Sequence, residues 1–228
     1  MNNNRKYSRS REVPAQRRSF DLEPKNENQR LYLKALQENS QVIVLGPSGV
    51  GKSYVAASYA ANLYARGVIS KIIITRPAVS TGRSLGALPG TLEEKFSPWM
   101  SPLLEIFSER LGKGALAAAV RSGDILLAPL EYMRGSTFKD AFILATECQN
   151  LSVTDFKMLV TRVGDNCSLV LDGDIKQSDL REESGLSKAI DLAKKYRMNI
   201  PVIEFTLDDI VRSDICKMWV TSFYRENL

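Results

Sequence analysis

The stretch QVIVLGPSGVGKS, residues 41–53, decides the fold. Its first five residues, Gln41 to Leu45, are rich in β-branched side chains and long enough for a buried strand but not for a helix. Gly46, Pro47, Ser48, Gly49, Val50, Gly51, Lys52 and Ser53 then match G-x-x-x-x-G-K-[ST] without a mismatch. Beyond them YVAASYAANLYARG, residues 54–67, reads as an Ala-rich helix stopped by Gly67. Strand, glycine-rich turn and helix in that order make a phosphate-binding loop of the Walker A type. Its glycines let the backbone wrap an anion closely, successive N–H groups and the helix N-terminus attract that anion, and Lys52 reaches the outer phosphates. Ser53 brings a hydroxyl for Mg²⁺, and Tyr54 completes the nucleotide-binding set.

Outward from this loop, strand-like and helix-like segments alternate. Upstream, NENQRLYLKALQENS (26–40) suggests a helix through Leu31, Leu33 and Leu36. Downstream, strands are expected at 71–75, 124–130, 141–146, 167–174 and 202–207, and helices at 103–112, 153–163, 185–196 and 208–227. A long loop with Pro77, Gly82, Gly86, Pro89 and Gly90 is expected after the second strand. Apolar strands alternating with helices imply an α/β fold, a parallel sheet with helices on both faces, and ligand sites at the carboxyl ends of the strands.

Composition bounds the rest. At 228 residues the chain suits one full-sized domain and is too short for two nucleotide-binding domains. No apolar run approaches a membrane span, so no membrane partner is expected. With no histidine, a histidine general base is excluded. Cys148, Cys167 and Cys216 are scattered without a CxxC pair, which disfavours a disulfide framework or zinc site and fits a cytoplasmic setting. The net charge of +5 sits in the first twenty residues, where Arg5, Lys6, Arg9, Arg11, Arg17 and Arg18 face only Glu12. Residues 1–23 are therefore read as a basic, disordered arm, either a solubilising tail or a tether for phosphate backbones, with a transit peptide a weaker fit.

The loop, TRPAV after the second strand, SLGALPGTLEEKFSPWMSPLLEIF, LAPLEYMRGSTFKDAFI, TECQN, DGDIKQSDL and DIVR occur in the order found in the PhoH-like ATPases, the phosphate-starvation-inducible family. From about Pro24 to the C-terminus the chain resembles that family. The resemblance implies one RecA-like P-loop NTPase domain over 24–228, similar to a single motor domain of superfamily 1 helicases and using ATP with Mg²⁺. It also implies action on RNA or single-stranded DNA. Superfamily 1 helicases close ATP between two such domains, so motor action by one domain implies a homo-oligomer, with a hexameric ring as the expected form.

The resemblance assigns roles that the side-chain chemistry can support. Glu147, at a strand end, would orient the attacking water; the plain alternative is a solvated glutamate. Gln177 in GDIKQ is similar to a γ-phosphate sensor, although Gly-Asp also suits an ordinary turn. Gln29 resembles the glutamine that reads adenine, or is an exposed helix residue. Arg212 resembles the arginine that stabilises transferred charge, reaching a neighbour's site in a head-to-tail ring, or is a surface residue. Arg76, Arg83 and Arg134, with Trp99 and Tyr132 nearby in sequence, are candidates for single-stranded nucleic acid, unless the aromatics are core. A small-molecule kinase shares the loop but is disfavoured by GDIKQ and TECQN.

One position departs from the family. Where its strand normally ends Asp-Glu, this chain has Thr146-Glu147. Threonine offers Mg²⁺ a hydroxyl and no charge, so binding should survive better than turnover. Two outcomes are open: Asp174 or another nearby carboxylate substitutes, or the protein is a nucleotide-gated binding module with little hydrolysis.

Overall fold

The computed structural model describes residues 22–77 and 92–226; the expected basic arm up to residue 21 and most of the expected loop, including Arg83, lie outside them. Helix α1 (Glu27–Glu38) leads into β1 (Gln41–Leu45), the loop and α2 (Lys52–Ala65), followed by β2 (Lys71–Arg76). Then come α3 (Leu92–Leu111), α4 (Lys113–Ser122), β3 (Ile125–Pro129), β4 (Ala141–Ala145) and α5 (Val153–Val160). The chain continues through β5 (Ser168–Gly173), α6 (Gly185–Lys195), β6 (Val202–Glu204) and α7 (Asp214–Glu226).

Among the described residues the strands form one six-stranded sheet in the order β3-β2-β4-β5-β1-β6, every pair parallel. Strand alternation divides its side chains between two cores. Val42, Val44, Ile72, Ile74, Phe142, Leu144 and Val170 pack with α1 to α4, while Ile43, Ile73, Ile143, Leu169 and Leu171 pack with α5 and α6. Continuous apolar runs are what a parallel sheet covered on both faces requires. The fold is an α/β RecA-like P-loop arrangement, with the phosphate loop at the carboxyl end of β1, which lies between β5 and β6.

Several boundaries differ from expectation. Helix α3 begins eleven residues before the expected start at 103 and runs through Pro98 and Pro102, residues that ordinarily break a helix interior. Helix α4 has no counterpart in the sequence reading; Gly114 and its run of alanines carry little periodicity. Strand β6 stops at Glu204, and the last helix begins at Asp214 rather than 208, leaving Arg212 on the segment before it. Leu22, placed in the arm by composition, packs against the α1–α4 core.

Candidate functional site

The loop between β1 and α2 owes its course to glycines. Gly49 and Gly51 have φ of +86° and +91°, in the left-handed region that favours glycine. Neither has room for a side chain: a Cβ on Gly51 would lie 2.6 Å from Gln29 Nε2, and one on Gly49 2.9 Å from Arg212 Cγ. Gln29 is only 4% exposed, and so is no surface helix residue. Its amide accepts from the Lys25 N–H and donates to the Val50 carbonyl, each at 2.9 Å, and thereby braces the loop. Val211 N–H donates to the Gly49 carbonyl at 3.0 Å from the other side. Lys52 donates to the carbonyls of Gly46 and Pro47 at 2.7 and 3.1 Å.

The ends of β4 and β5 face the loop. Ala145 pairs with Leu171, so one residue further Thr146 and Asp172 stand abreast on neighbouring strands. Strand β5 lies directly beside β1, with Asp172 paired to Val44. The Ser53 hydroxyl donates to Asp172 Oδ2 at 2.5 Å, and Lys52 Nζ lies 3.8 Å from Oδ1. Burial pushes the Asp172 carboxyl above its usual range; Lys52 and the Ser53 hydrogen bond oppose the shift, while Glu147 and Asp174 add to it. Burial likewise raises Asp174, which accepts from the Lys176 N–H through Oδ1 and whose buried Oδ2 has no hydrogen-bond partner among the described residues.

Glu147 adopts φ 55°, ψ 36°, a left-handed conformation that a non-glycine residue rarely takes and that is found at functional sites. Gln149 holds it, donating to Glu147 Oε2 at 2.7 Å while its Oε1 accepts from the Asp174 N–H at 3.1 Å. One buried amide therefore links the two strand tips.

These groups share a cleft of about 800 Å³, lined by Gln29, Ser48, Gly49, Gly51 to Tyr54, Thr146, Glu147, Gln149, Asp172 to Asp174, Gln177 and Arg212, with α3 along one wall. From α3, Arg110 hydrogen-bonds the Tyr54 hydroxyl at 2.6 Å. The expected loop, Glu147, Gln177 and Arg212 thus come together. Arg212 is exposed and its stem lies against the loop of its own chain, where Val211 ties the segment after β6 to Gly49. The nucleic-acid candidates do not converge. Arg76 lines the cleft, Arg134 is exposed outside it, Arg83 lies outside the described residues, and so do the side chains of Trp99 and Tyr132.

Sequence reasoning did not single out Asp172, Gln149 or Arg110. Only Asp172 left a signal, a charge inside the apolar run SLVLDG, where ionised side chains are rare unless paired. A hydroxyl and a carboxylate, as Ser53 and Asp172 present them, are hard oxygen donors of the kind Mg²⁺ takes. The described residues contain no group of three or more His, Cys, Asp or Glu able to hold a metal unaided. Mg²⁺ fits as an ion shared with nucleotide phosphates and water. None of the described helices is long and apolar enough to cross a membrane.

The chain is similar to known proteins along most of its length. A family model described as PhoH-like protein matches residues 21–224. The PhoH-like protein of Mycobacterium tuberculosis (strain ATCC 25618 / H37Rv) is 37% identical over 211 residues, 92% of this chain and 60% of its own length. That of Bacillus subtilis (strain 168) is 36% identical over 218 residues, covering 95% of this chain and 68% of its own. Protein PhoH of Escherichia coli (strain K12) is 36% identical over 208 residues, 88% of this chain and 58% of its own, so the chain spans little more than half of some relatives. Among solved structures, the UvsW helicase from bacteriophage T4 aligns with a TM-score of 0.49 at 13% identity, over 81% of this chain and 61% of that one. With a family match spanning nearly all of its described residues, the chain belongs to the PhoH-like protein family.

Proposed function

We propose that this chain binds ATP with Mg²⁺ in the cleft, hydrolyses it, and couples the cycle to RNA or single-stranded DNA. The observation that carries the reading is the convergence of Lys52, Glu147, Gln177 and Arg212 on one cleft around the phosphate loop. Bound Mg²⁺ supplies positive charge at the outer phosphates. Ser53 and a neighbouring carboxylate hold it. Lys52 leaves its own loop carbonyls for the phosphates, and the loop N–H groups complete the anion site. Glu147, fixed by Gln149, orients the attacking water and takes its proton. Gln177 contacts the γ-phosphate, and Arg212 stabilises charge on the transferred group from within the same chain. Gln29 keeps one amide N–H for the base beside Tyr54, since its other contacts use one donor and one acceptor site.

The nucleic-acid part draws on the helicase-like motif order, exposed Arg134 and the basic arm of residues 1–23. A homo-oligomeric ring, hexameric in our reading, would set a neighbour's surface against each cleft. The setting is cytoplasmic, where the three free cysteines stay reduced. ATP turnover measured with and without single-stranded RNA and DNA tests the coupling. Stimulation that fades as salt rises is expected; equal rates with and without either polymer refute the coupling and leave hydrolysis standing.

A further inference from the structure

Mg²⁺ at a phosphate-binding loop is held by the loop hydroxyl together with a carboxylate from the sheet. At the end of β4, where that carboxylate is expected, Thr146 has none. We infer that Asp172, one strand over on β5, does this work in place of position 146, holding Ser53 and with it the Mg²⁺ of a bound nucleoside triphosphate. The inference rests on the nucleotide-binding reading and deepens it.

The register supports the exchange. Thr146 and Asp172 stand abreast on adjacent parallel strands, and both line the cleft. Residues abreast in a parallel pair project to the same face, and strands lie about 4.8 Å apart, so moving the carboxylate from β4 to β5 displaces it by one strand spacing. The displacement is toward the loop, because β5 is the strand that pairs with β1. The hydrogen bond from Ser53 to Asp172 is already made at 2.5 Å. A hydroxyl has one proton and two lone pairs; with the proton given to Asp172, the lone pairs remain for a cation.

Burial points the same way. Asp172 is 3% exposed and Asp174 5%, and the buried Asp174 Oδ2 has no hydrogen-bond partner among the described residues. Two buried carboxylates beside Glu147 are mutually unfavourable, and Lys52 is the one cation paired with Asp172 among the described residues. A divalent cation would relieve that excess of negative charge when Lys52 turns to the phosphates. Asp174 does not fit as the holder: its Oδ1 caps the turn at Lys176, and it makes no bond to Ser53.

The test measures binding rather than turnover. The affinity of the full chain for a fluorescent, non-hydrolysable ATP analogue is measured in Mg²⁺ and in EDTA, and Mn²⁺ taken up in the same mixtures is counted by electron paramagnetic resonance. The parent should bind more tightly with Mg²⁺. Asp172→Asn should keep binding in EDTA, lose the gain from Mg²⁺ and take up Mn²⁺ about 10–100-fold more weakly. Asp174→Asn should retain most of the gain, and the exchange Thr146→Asp with Asp172→Thr should recover it. Asp172→Asn with the parent's full Mg²⁺ gain overturns the inference, as does loss confined to Asp174→Asn. An exchange variant that is folded by circular dichroism and recovers nothing overturns it equally. If the parent binds no analogue in either condition, the nucleotide reading itself fails, which is visible before any substitution is made.

Discussion

At the scale of single residues, Gln149 carries more than its chemistry advertises. Its amide donates to the Glu147 carboxylate and accepts from the Asp174 N–H, holding a glutamate whose backbone lies in a strained region. Replacing it with leucine keeps bulk and removes both bonds. Gln149→Leu should lower kcat about 10–100-fold while ATP affinity stays within a few-fold, because supporting partners orient the acting group rather than bind substrate. Steady-state kinetics separates the two; a rise in KM with unchanged kcat would show that Gln149 serves binding instead.

At the scale of elements, stability comes from burying both faces of the sheet. Leu144, on the interior strand β4, is fully buried, whereas Leu126 on the edge strand β3 is 36% exposed. Leu144→Ala should cost about 2–5 kcal/mol, a fall of about 4–20 °C in Tm for a domain of this size. Leu126→Ala should cost about 1 kcal/mol or less. Similar losses at both sites in a thermal melt would contradict the assigned burial. The same elements explain what could be read in advance. Strand β1 and its loop were legible because a β-branched run favours a strand, and the glycine, lysine and serine spacing after it is one that phosphate binding requires in that context. The start of α3 was not, since two prolines inside it obey helix sterics only in context. Asp172 falls within an expected strand, yet its importance depends on β5 lying between β4 and β1, and sheet order is a property of tertiary packing that no local pattern encodes. Arg212 stands out in the motif DIVR, whereas its approach to the loop depends on the segment after β6 folding back over Gly49.

At the scale of the whole molecule, one chain brings the loop, Glu147, Gln177 and Arg212 to one cleft. This bears on how subunits cooperate. If Arg212 served a neighbour, mixing Lys52→Ala chains with Arg212→Ala chains would create some sites with an intact loop and an intact arginine. With Arg212 in cis, each mixed site still lacks one of the two, so mixing should restore no ATP turnover. Recovery above the sum of the separate variants would return the arginine to the neighbouring site.

The central claim is that this cleft hydrolyses ATP through Glu147. The most direct measurement is phosphate release by the full chain with Mg²⁺-ATP under single-turnover conditions, with bound nucleotide quantified in the same samples, for the parent and Glu147→Gln. The account predicts release by the parent and its loss, by a factor of about 10² or more, in a Glu147→Gln protein that still binds ATP. Equal release from the two proteins, or bound ATP that persists unhydrolysed in the parent, would contradict it.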